Sequence, residues 1–289
     1  MSSVAAPTAR SEARTARRER TRLLLRSPSF IIGAAVILFW VATALLGSRI
    51  TPYDPVFDQT PDLSQAPSGD HWFGTDRLGR DVFSRVLAGS RDILIVAPLA
   101  TLLAMIFGTT LGLITGYFRG VADDTISRII DAVLAIPLIV MAVTVVAALG
   151  SRSTWAVTVV IAIVFAPIVA RTVRAAVLGE AQLDYVEAAR LRGERAPYVM
   201  FLEVLPNVMP PILVEATIRL GYAIFAVASL TFIGFGLQPP SADWAVQLTD
   251  NYNFMAEQWW TVAFPALAIA SLVVALNLVS DSFQQVFER

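Results

Sequence analysis

The side chains of this sequence that could do chemistry lie mainly in two polar segments. In the first, residues 71–91, carboxylates, guanidinium groups and glycines alternate at short spacing. The residues selected there as candidates are Gly74, Thr75, Asp76, Gly79, Arg80, Asp81 and Arg85. The glycines permit tight turns, and the charged groups can join those turns by charge-assisted hydrogen bonds. We therefore predict a folded loop, with His71, next to Trp72, at its surface and not acting as a metal ligand.

The second polar segment, residues 179–208, is named here the EAA segment after its Glu187-Ala188-Ala189 sequence. It is rich in helix-forming residues, and Gly193 is a natural residue at which a helix stops. A helix would place Tyr185, Ala188, Ala189 and Arg192 at positions i, i+3, i+4 and i+7, which share one face. This face, with small residues between an aromatic ring and a cation, predicts close docking on a partner.

Composition excludes several kinds of chemistry. The 22 basic residues are all Arg, and the chain has no Lys, no Cys and a single His. Without Cys there is no disulfide or thiolate metal site, and one His cannot form a His-rich zinc centre. A Walker A phosphate loop needs a Lys. We expect no catalytic residue, no metal and no cofactor on this chain, so any ATPase must be a separate subunit.

The 289 residues are 56% hydrophobic and 16% charged. Crossing about 30 Å of hydrocarbon takes roughly 17 to 25 helical residues, and a spanning chain must satisfy its backbone internally. Six apolar runs meet this requirement, and they cover residues 30–46, 93–117, 132–150, 155–170, 220–237 and 258–280. The fifth helix is expected to start near residue 211. The sequence thus predicts an all-α integral membrane protein with six transmembrane helices.

Arginine placement predicts the orientation. Seven of the 22 arginines precede residue 30, and cytoplasmic flanks retain basic residues, so both termini are expected in the cytoplasm. A cleaved signal peptide is the alternative, but Gly47-Ser48-Arg49 is a poor cleavage site and the apolar run is long. The predicted organisation is a disordered Arg-rich tail at 1–29, a first transmembrane helix at 30–50, a first loop at 51–92 and a core at 93–289.

Two features stand out inside the predicted spans. Gly108, Gly112 and Gly116 recur at four-residue spacing, which makes a smooth helix face that a neighbouring helix can approach closely. Glu215 and Arg219 are also four apart and can form an ion pair. This pair either stabilises the membrane interface or faces a water-filled cavity.

The EAA segment resembles the EAA loop of the membrane subunits of binding-protein-dependent ABC importers. The resemblance rests on Glu187-Ala188-Ala189, Gly193 and Leu205-Pro206-Asn207. Residues 74–85 are similar to the G-T-D-x-x-G-R-D-x-x-S-R block of the C-type permease of dipeptide and oligopeptide importers, and residues 232–240 with Trp244 resemble the same subgroup. The likeness covers about residues 30–289. Glu203 and Ala245 depart from the family pattern.

The resemblance implies a type I ABC importer permease that works by alternating access. It assigns contact with the ATPase to Tyr185, Glu187, Ala188, Ala189, Arg192, Gly193, Leu205, Pro206 and Asn207. Implied partners are a second homologous permease, one or two cytoplasmic ATPase subunits that hold ATP and Mg, an extracytoplasmic binding protein and the lipid bilayer of the bacterial cytoplasmic membrane, with no nucleic acid. The first loop is then either a structural plug or a lid that contacts substrate or binding protein.

Di- or oligopeptides are the expected substrates, with a nickel chelate or haem as alternatives within the same family. An ion-gradient-driven secondary transporter is a second class of function. It predicts buried carboxylates or broken helices at mid-membrane. A structural membrane scaffold is a third class, and it would have no need of the EAA segment.

Overall fold

The computed structural model describes residues 23–150 and 153–287. Most of the predicted Arg-rich tail lies outside these residues. The described chain is helical, and its one β-type contact is an isolated bridge between Thr75 and Asp81. The helices are α1 Pro28–Leu46, α2 Val82–Phe118, α3 Val121–Leu134, α4 Leu138–Leu149, α5 Thr154–Glu180, α6 Asp184–Leu191, α7 Ala196–Phe232, α8 Trp244–Asn251 and α9 Trp260–Phe287.

Five of the described helices, α1, α2, α5, α7 and α9, are long and apolar enough to cross a membrane. The pair α3 and α4 meets the same test jointly, and its two helices meet at a bend of 94°. The all-α membrane fold with five or six spans confirms the predicted fold class. The prediction of a single third helix over 132–150 was wrong. Pro137 lacks an N–H and its ring clashes with the preceding turn, so α3 ends before Pro137 and α4 begins after it.

Two spans start earlier than the apolar runs predict. Asp81 caps α2 by accepting a hydrogen bond from the Ser84 backbone N–H at 2.8 Å, so this helix begins at Val82 and includes the end of the first loop. Helix α7 begins at Ala196 and passes through a π-helical stretch, Val199–Val204, before it continues as a regular α-helix over Leu205–Phe232. At α2, a local polar interaction thus extends the helix beyond the start that hydropathy predicts.

The glycine face of α2 packs closely against a neighbouring helix, as predicted, and that helix is α5. A Cβ atom at Gly108, Gly112 or Gly116 would approach a Val Cβ of α5 to 2.5–2.7 Å, closer than packed side chains allow. Helix α1 lies at the periphery on α2 and α9, where Trp40 Nε1 donates to Ser271 Oγ at 2.9 Å. The helices therefore form a bundle with the first loop at one end and the EAA segment at the other.

Candidate functional site

Asp81 is the centre of the first loop. One carboxylate oxygen accepts from both the N–H and the hydroxyl of Ser84, at 2.8 and 2.7 Å, and the other lies 2.9 Å from His71 Nδ1. His71 is only 2% exposed and lies against the Tyr53 ring. The predicted surface position of His71 was wrong, because the imidazole packs against the Asp81 carboxylate and the Tyr53 ring, whereas the neighbouring Trp72 is exposed.

Asp76 and Arg80 hold a tight turn, as their spacing predicts. The Arg80 Nε donates to one Asp76 oxygen at 2.6 Å, and the other oxygen accepts the backbone N–H groups of Leu78 and Arg80. Gly79 has a positive φ of 73° inside this turn. Arg80 Nη2 also reaches Asp250 of α8 at 3.3 Å. The turn is therefore bonded to itself and to a distant helix.

Arg85 makes its bonds to backbone carbonyls and not to a carboxylate. Its guanidinium is 1% exposed and donates to Pro55 O at 3.0 Å and to Ser241 O at 3.1 Å. Each of these carbonyls belongs to a loop, one before α2 and one before α8. A single buried cation thus joins two segments that are far apart in the chain.

Several residues that support the first loop were missed by the sequence interpretation. Trp244 Nε1 donates to Val86 O at 2.7 Å, and Trp260 Nε1 donates to Thr75 O at 3.0 Å. Gln247 Nε2 donates to Arg85 O at 3.0 Å and to Ala242 O at 2.7 Å. The signal available was a group of polar and indole side chains in the otherwise apolar C-terminal third, where Trp244 was noted only as part of a motif.

Asp243 caps α8 from a fully buried position. One oxygen accepts the N–H groups of Ala245 and Val246 at 2.9 and 3.2 Å, while Oδ2 is buried without a partner among the described atoms. Burial, with a smaller contribution from the nearby charge of Asp92, raises the pKa of Asp243 to about 7, and the two backbone bonds oppose this rise. Burial thus favours the protonated form of the Asp243 carboxyl group.

At the opposite end of the bundle, the EAA segment forms the short helix α6, Asp184–Leu191. Gly193 ends it with a positive φ of 77°, as predicted. The Gly193 N–H donates to Arg190 O at 2.9 Å, and the Glu194 N–H donates to Ala189 O at 3.2 Å. These bonds satisfy carbonyls that the helix end would leave open.

The face that α6 presents differs from the prediction. Ala188 and Arg192 are exposed, but Ala189 is buried and Tyr185 is partly buried. Val186 causes this orientation, since Val186 and Ala189 pack into an apolar cluster with Val199 and Val204 of α7. The outward face consists of Glu187, Ala188 and Leu191, and Leu191 is 83% exposed.

Tyr185 fixes α6 to its neighbours. Its hydroxyl donates to Glu180 Oε1 at 2.8 Å and accepts from Asn207 Nδ2 at 2.9 Å. Burial, and next the bond to Glu180, raises the pKa of Tyr185 above its ordinary value. On the other side, the Arg190 guanidinium lies 4.5 Å from the Tyr117 ring centroid. Helix α6 is thus bonded to the ends of α2 and α5 and, through Asn207, to α7. Leu205 and Pro206 precede Asn207 in α7.

Charged pairs lie among the spanning helices, and two of them have side chains that are largely buried. Arg219 Nε donates to Glu215 Oε1 at 2.6 Å, and the guanidinium lies 5.1 Å from the Tyr222 ring centroid. This geometry fits the ion-pair interpretation, and exposure of the pair to a cavity stays a prediction. Arg174 forms a bidentate pair with Asp123 at 2.6 and 2.7 Å, which joins α5 to α3 and was missed. Within residues 23–150 and 153–287, no group of three His, Cys, Asp or Glu residues could hold a metal.

Known proteins resemble this chain along most of its length. A family model described as binding-protein-dependent transport system inner membrane component matches residues 108–289. The dipeptide transport system permease protein DppC of Alkalihalophilus pseudofirmus is 37% identical over 94% of this chain and 89% of that protein. The glutathione transport system permease protein GsiD of Pectobacterium atrosepticum is 38% identical over 95% of this chain and 91% of that protein.

A solved structure shows the same fold. A chain from the inward-facing MetNI methionine ABC transporter matches with a TM-score of 0.58 and 20% identity, covering 71% of this chain and 97% of that chain. The predicted resemblance is therefore confirmed by sequence, and the architecture by structure. At this low identity the structural likeness concerns the fold alone.

Proposed function

The chain belongs to the family of binding-protein-dependent transport system inner membrane components, and on that premise we propose that it imports di- or oligopeptides with energy from separate ATPase subunits. It is a multi-pass membrane permease component. Peptides are favoured as substrates because similar proteins are named as dipeptide and glutathione permeases. These names favour peptides over the nickel chelate and haem alternatives.

The proposed orientation places the EAA segment in the cytoplasm and the first loop outside the bacterial cytoplasmic membrane. The Arg-rich N-terminal sequence supports it, since such flanks are retained in the cytoplasm. A second homologous permease would complete the translocation path, and an extracytoplasmic binding protein would deliver peptide to the first-loop side. ATP and Mg would be bound by the ATPase subunits.

The observation that carries the proposal is the exposed face of α6. Leu191 is a large apolar side chain at the surface of a polar segment, beside Ala188 and Glu187. Helix α6 is nevertheless fixed through Tyr185 and Arg190. A rigidly held helix with an uncovered apolar residue is suited to dock on a partner and to transmit its movement to the spanning helices.

For the first loop, the geometry favours the structural-plug alternative. Its charged residues Asp76, Asp81 and Arg85 are buried in bonds to the protein itself. Contact with a binding protein would then fall to exposed side chains such as Trp72 and Leu78.

One observation favours the secondary-transporter alternative in part, since α3 and α4 form a broken helix at 94°. Two buried acids of the described spanning helices, Asp123 and Glu215, argue against it. Asp123 is paired with Arg174 and Glu215 with Arg219, so each of these carboxylates is bonded to a guanidinium group of this chain. Such acids do not form the proton relay that an ion-driven carrier needs.

The test is ATPase activity in the reconstituted complex, stimulated by peptide-loaded binding protein. Glu187→Arg reverses a charge on the exposed face of α6 and is expected to reduce stimulation at least about tenfold, as a misplaced charge at a docking surface does. Asp281→Arg reverses an exposed charge near the end of α9 and serves as the matched control. Full stimulation of the Glu187→Arg complex would refute the coupling role.

A further inference from the structure

A groove runs along the face of the bundle formed by α1, α2, α7 and α9. Its volume is about 710 Å³, and its walls are mainly aliphatic side chains such as Val41, Ile95, Ile224 and Leu276. Several of these side chains are partly open to the surroundings, and Ile95 is among the exposed apolar residues. The groove is thus a surface feature and not a closed cavity of the core.

Positive charge is confined to one end of this groove. Arg49, which follows α1, and Arg91, near the start of α2, both line the end on the side of the first loop. Both are exposed, and within residues 23–150 and 153–287 neither makes an ion pair or a side-chain hydrogen bond. No acidic residue lines the groove. Two guanidinium groups therefore lie at this end of the groove without an acceptor among the described residues.

Away from the arginines the groove continues as an apolar channel. A second hollow of about 520 Å³ shares Pro98 and Leu220 with the first and extends to Met105. From Arg91 to Met105, α2 rises roughly 21 Å at about 1.5 Å per residue, whereas one leaflet holds about 15 Å of hydrocarbon. The wall is long enough for an acyl chain to lie against it across a whole leaflet.

The hydroxyl groups of the two threonines in this apolar wall are already hydrogen-bonded within the protein. The Thr101 hydroxyl donates to Ala97 O and the Thr217 hydroxyl donates to Val214 O, each at 2.8 Å within its own helix. A peptide lying there would leave its main-chain amides without partners, at a high cost in hydrocarbon. The groove matches a molecule with an anionic head and an apolar tail.

We propose that this groove binds an anionic phospholipid of the leaflet on the first-loop side. The phosphate accepts charge-assisted hydrogen bonds from Arg49 and Arg91, a geometry that guanidinium groups favour. One acyl chain lies along α2 from Ile95 towards Met105. The lipid would fill the space between α1 and the rest of the bundle, and it is independent of the transported substrate.

The test compares lipids retained by the purified complex after equilibration in nanodiscs that contain equal amounts of phosphatidylglycerol and phosphatidylcholine, read by native mass spectrometry. The expected preference for phosphatidylglycerol is about tenfold, and Arg49→Gln combined with Arg91→Gln abolishes it. Arg77→Gln removes a charge from the first loop outside the groove and keeps the preference. Equal retention of the two lipids by the unaltered complex, or an unchanged preference in the double variant, overturns the proposal.

A second measurement identifies what occupies the groove without weakening the fold. A photo-crosslinking benzoylphenylalanine replaces Ile95, which is exposed and so tolerates a larger side chain. A crosslinked product with the mass of a phospholipid supports the proposal. A product with the second permease subunit shows that a protein surface covers the groove and overturns it. Binding-protein-stimulated ATPase activity, measured in parallel, shows whether failure concerns the lipid alone or the transport function as well.

Discussion

The first loop and the EAA segment lie at opposite ends of the bundle and use their polar residues in opposite ways. In the first loop, Asp76, Asp81 and Arg85 are buried and bond to their own turn or to the segments around α8. In the EAA segment, Glu187 and Leu191 point outward with no such bonds to the rest of the described chain. The charged side chains of the first loop thus stabilise its fold, whereas Glu187 and Leu191 of the EAA segment are available to bind a partner.

This difference has a physical consequence for mutation. A buried polar group that loses its partner costs stability, whereas an exposed side chain at a docking surface affects mainly binding. Changes to the buried charged residues of the first loop should therefore destabilise the fold, and changes on the outward face of α6 should weaken its binding to the ATPase subunit. Four predictions follow from this contrast, ordered by expected effect on the folded chain.

The largest effect is expected for Arg85→Ala. The substitution leaves Pro55 O and Ser241 O without their donor inside the protein, which should cost about 3 kcal/mol. Arg77→Ala, at an exposed arginine of the same loop, should cost less than about 0.5 kcal/mol. Thermal unfolding in detergent measures both. Equal stability of the two variants would mean that the first loop is not held together as described.

Asp243, which caps the helix α8 that holds the first loop, should make the stability of the folded protein depend on pH. Its pKa is raised from 3.8 to about 7 by burial, so between these values the folded state binds more protons than the unfolded state, and stability falls as pH rises. Asp243→Asn should remove this fall. Melting temperatures of both proteins from pH 4 to pH 8 test the prediction, and parallel curves would contradict it.

A smaller and local effect is expected at Gly193. Its positive φ makes Gly193→Ala unfavourable by about 1 kcal/mol although a Cβ there meets no atom within 4 Å. Gly179 is equally open but lies in α5 with ordinary helical φ, so Gly179→Ala should be neutral or stabilising. Hydrogen exchange of the α6 amides should quicken roughly fivefold in Gly193→Ala alone. Equal exchange rates of the α6 amides in the two variants would show that backbone strain at position 193 does not destabilise this helix.

The sequence predicted the features that depend on local spacing. The apolar runs located most of the spans, four-residue glycine spacing predicted the face of α2 that a neighbouring helix approaches, and Gly193 marked the end of α6. The predictions from sequence failed where packing between separate segments determines the position of a side chain. His71 is buried because Asp81 and Tyr53 enclose it, and α6 is turned by the packing of Val186 against α7.

Other contacts had no local signature at all. The bonds of Arg85 to Ser241 O and of Trp260 to Thr75 O join residues more than 150 positions apart. No spacing rule within one helix or turn relates such residues, so they appear only once the bundle is assembled. The broken third span is an intermediate case, because Pro137 was visible in the sequence but the angle of the break was not.

The central claim is that the outward face of α6 binds an ATPase subunit and is dispensable for folding. The most direct measurement is co-purification of the ATPase subunit with Leu191→Asp, alongside Leu78→Asp, an exposed leucine of the first loop, as control. We predict that Leu191→Asp keeps the unaltered melting temperature and loses at least about tenfold in bound ATPase, while Leu78→Asp retains it. Full ATPase binding by folded Leu191→Asp would contradict the claim.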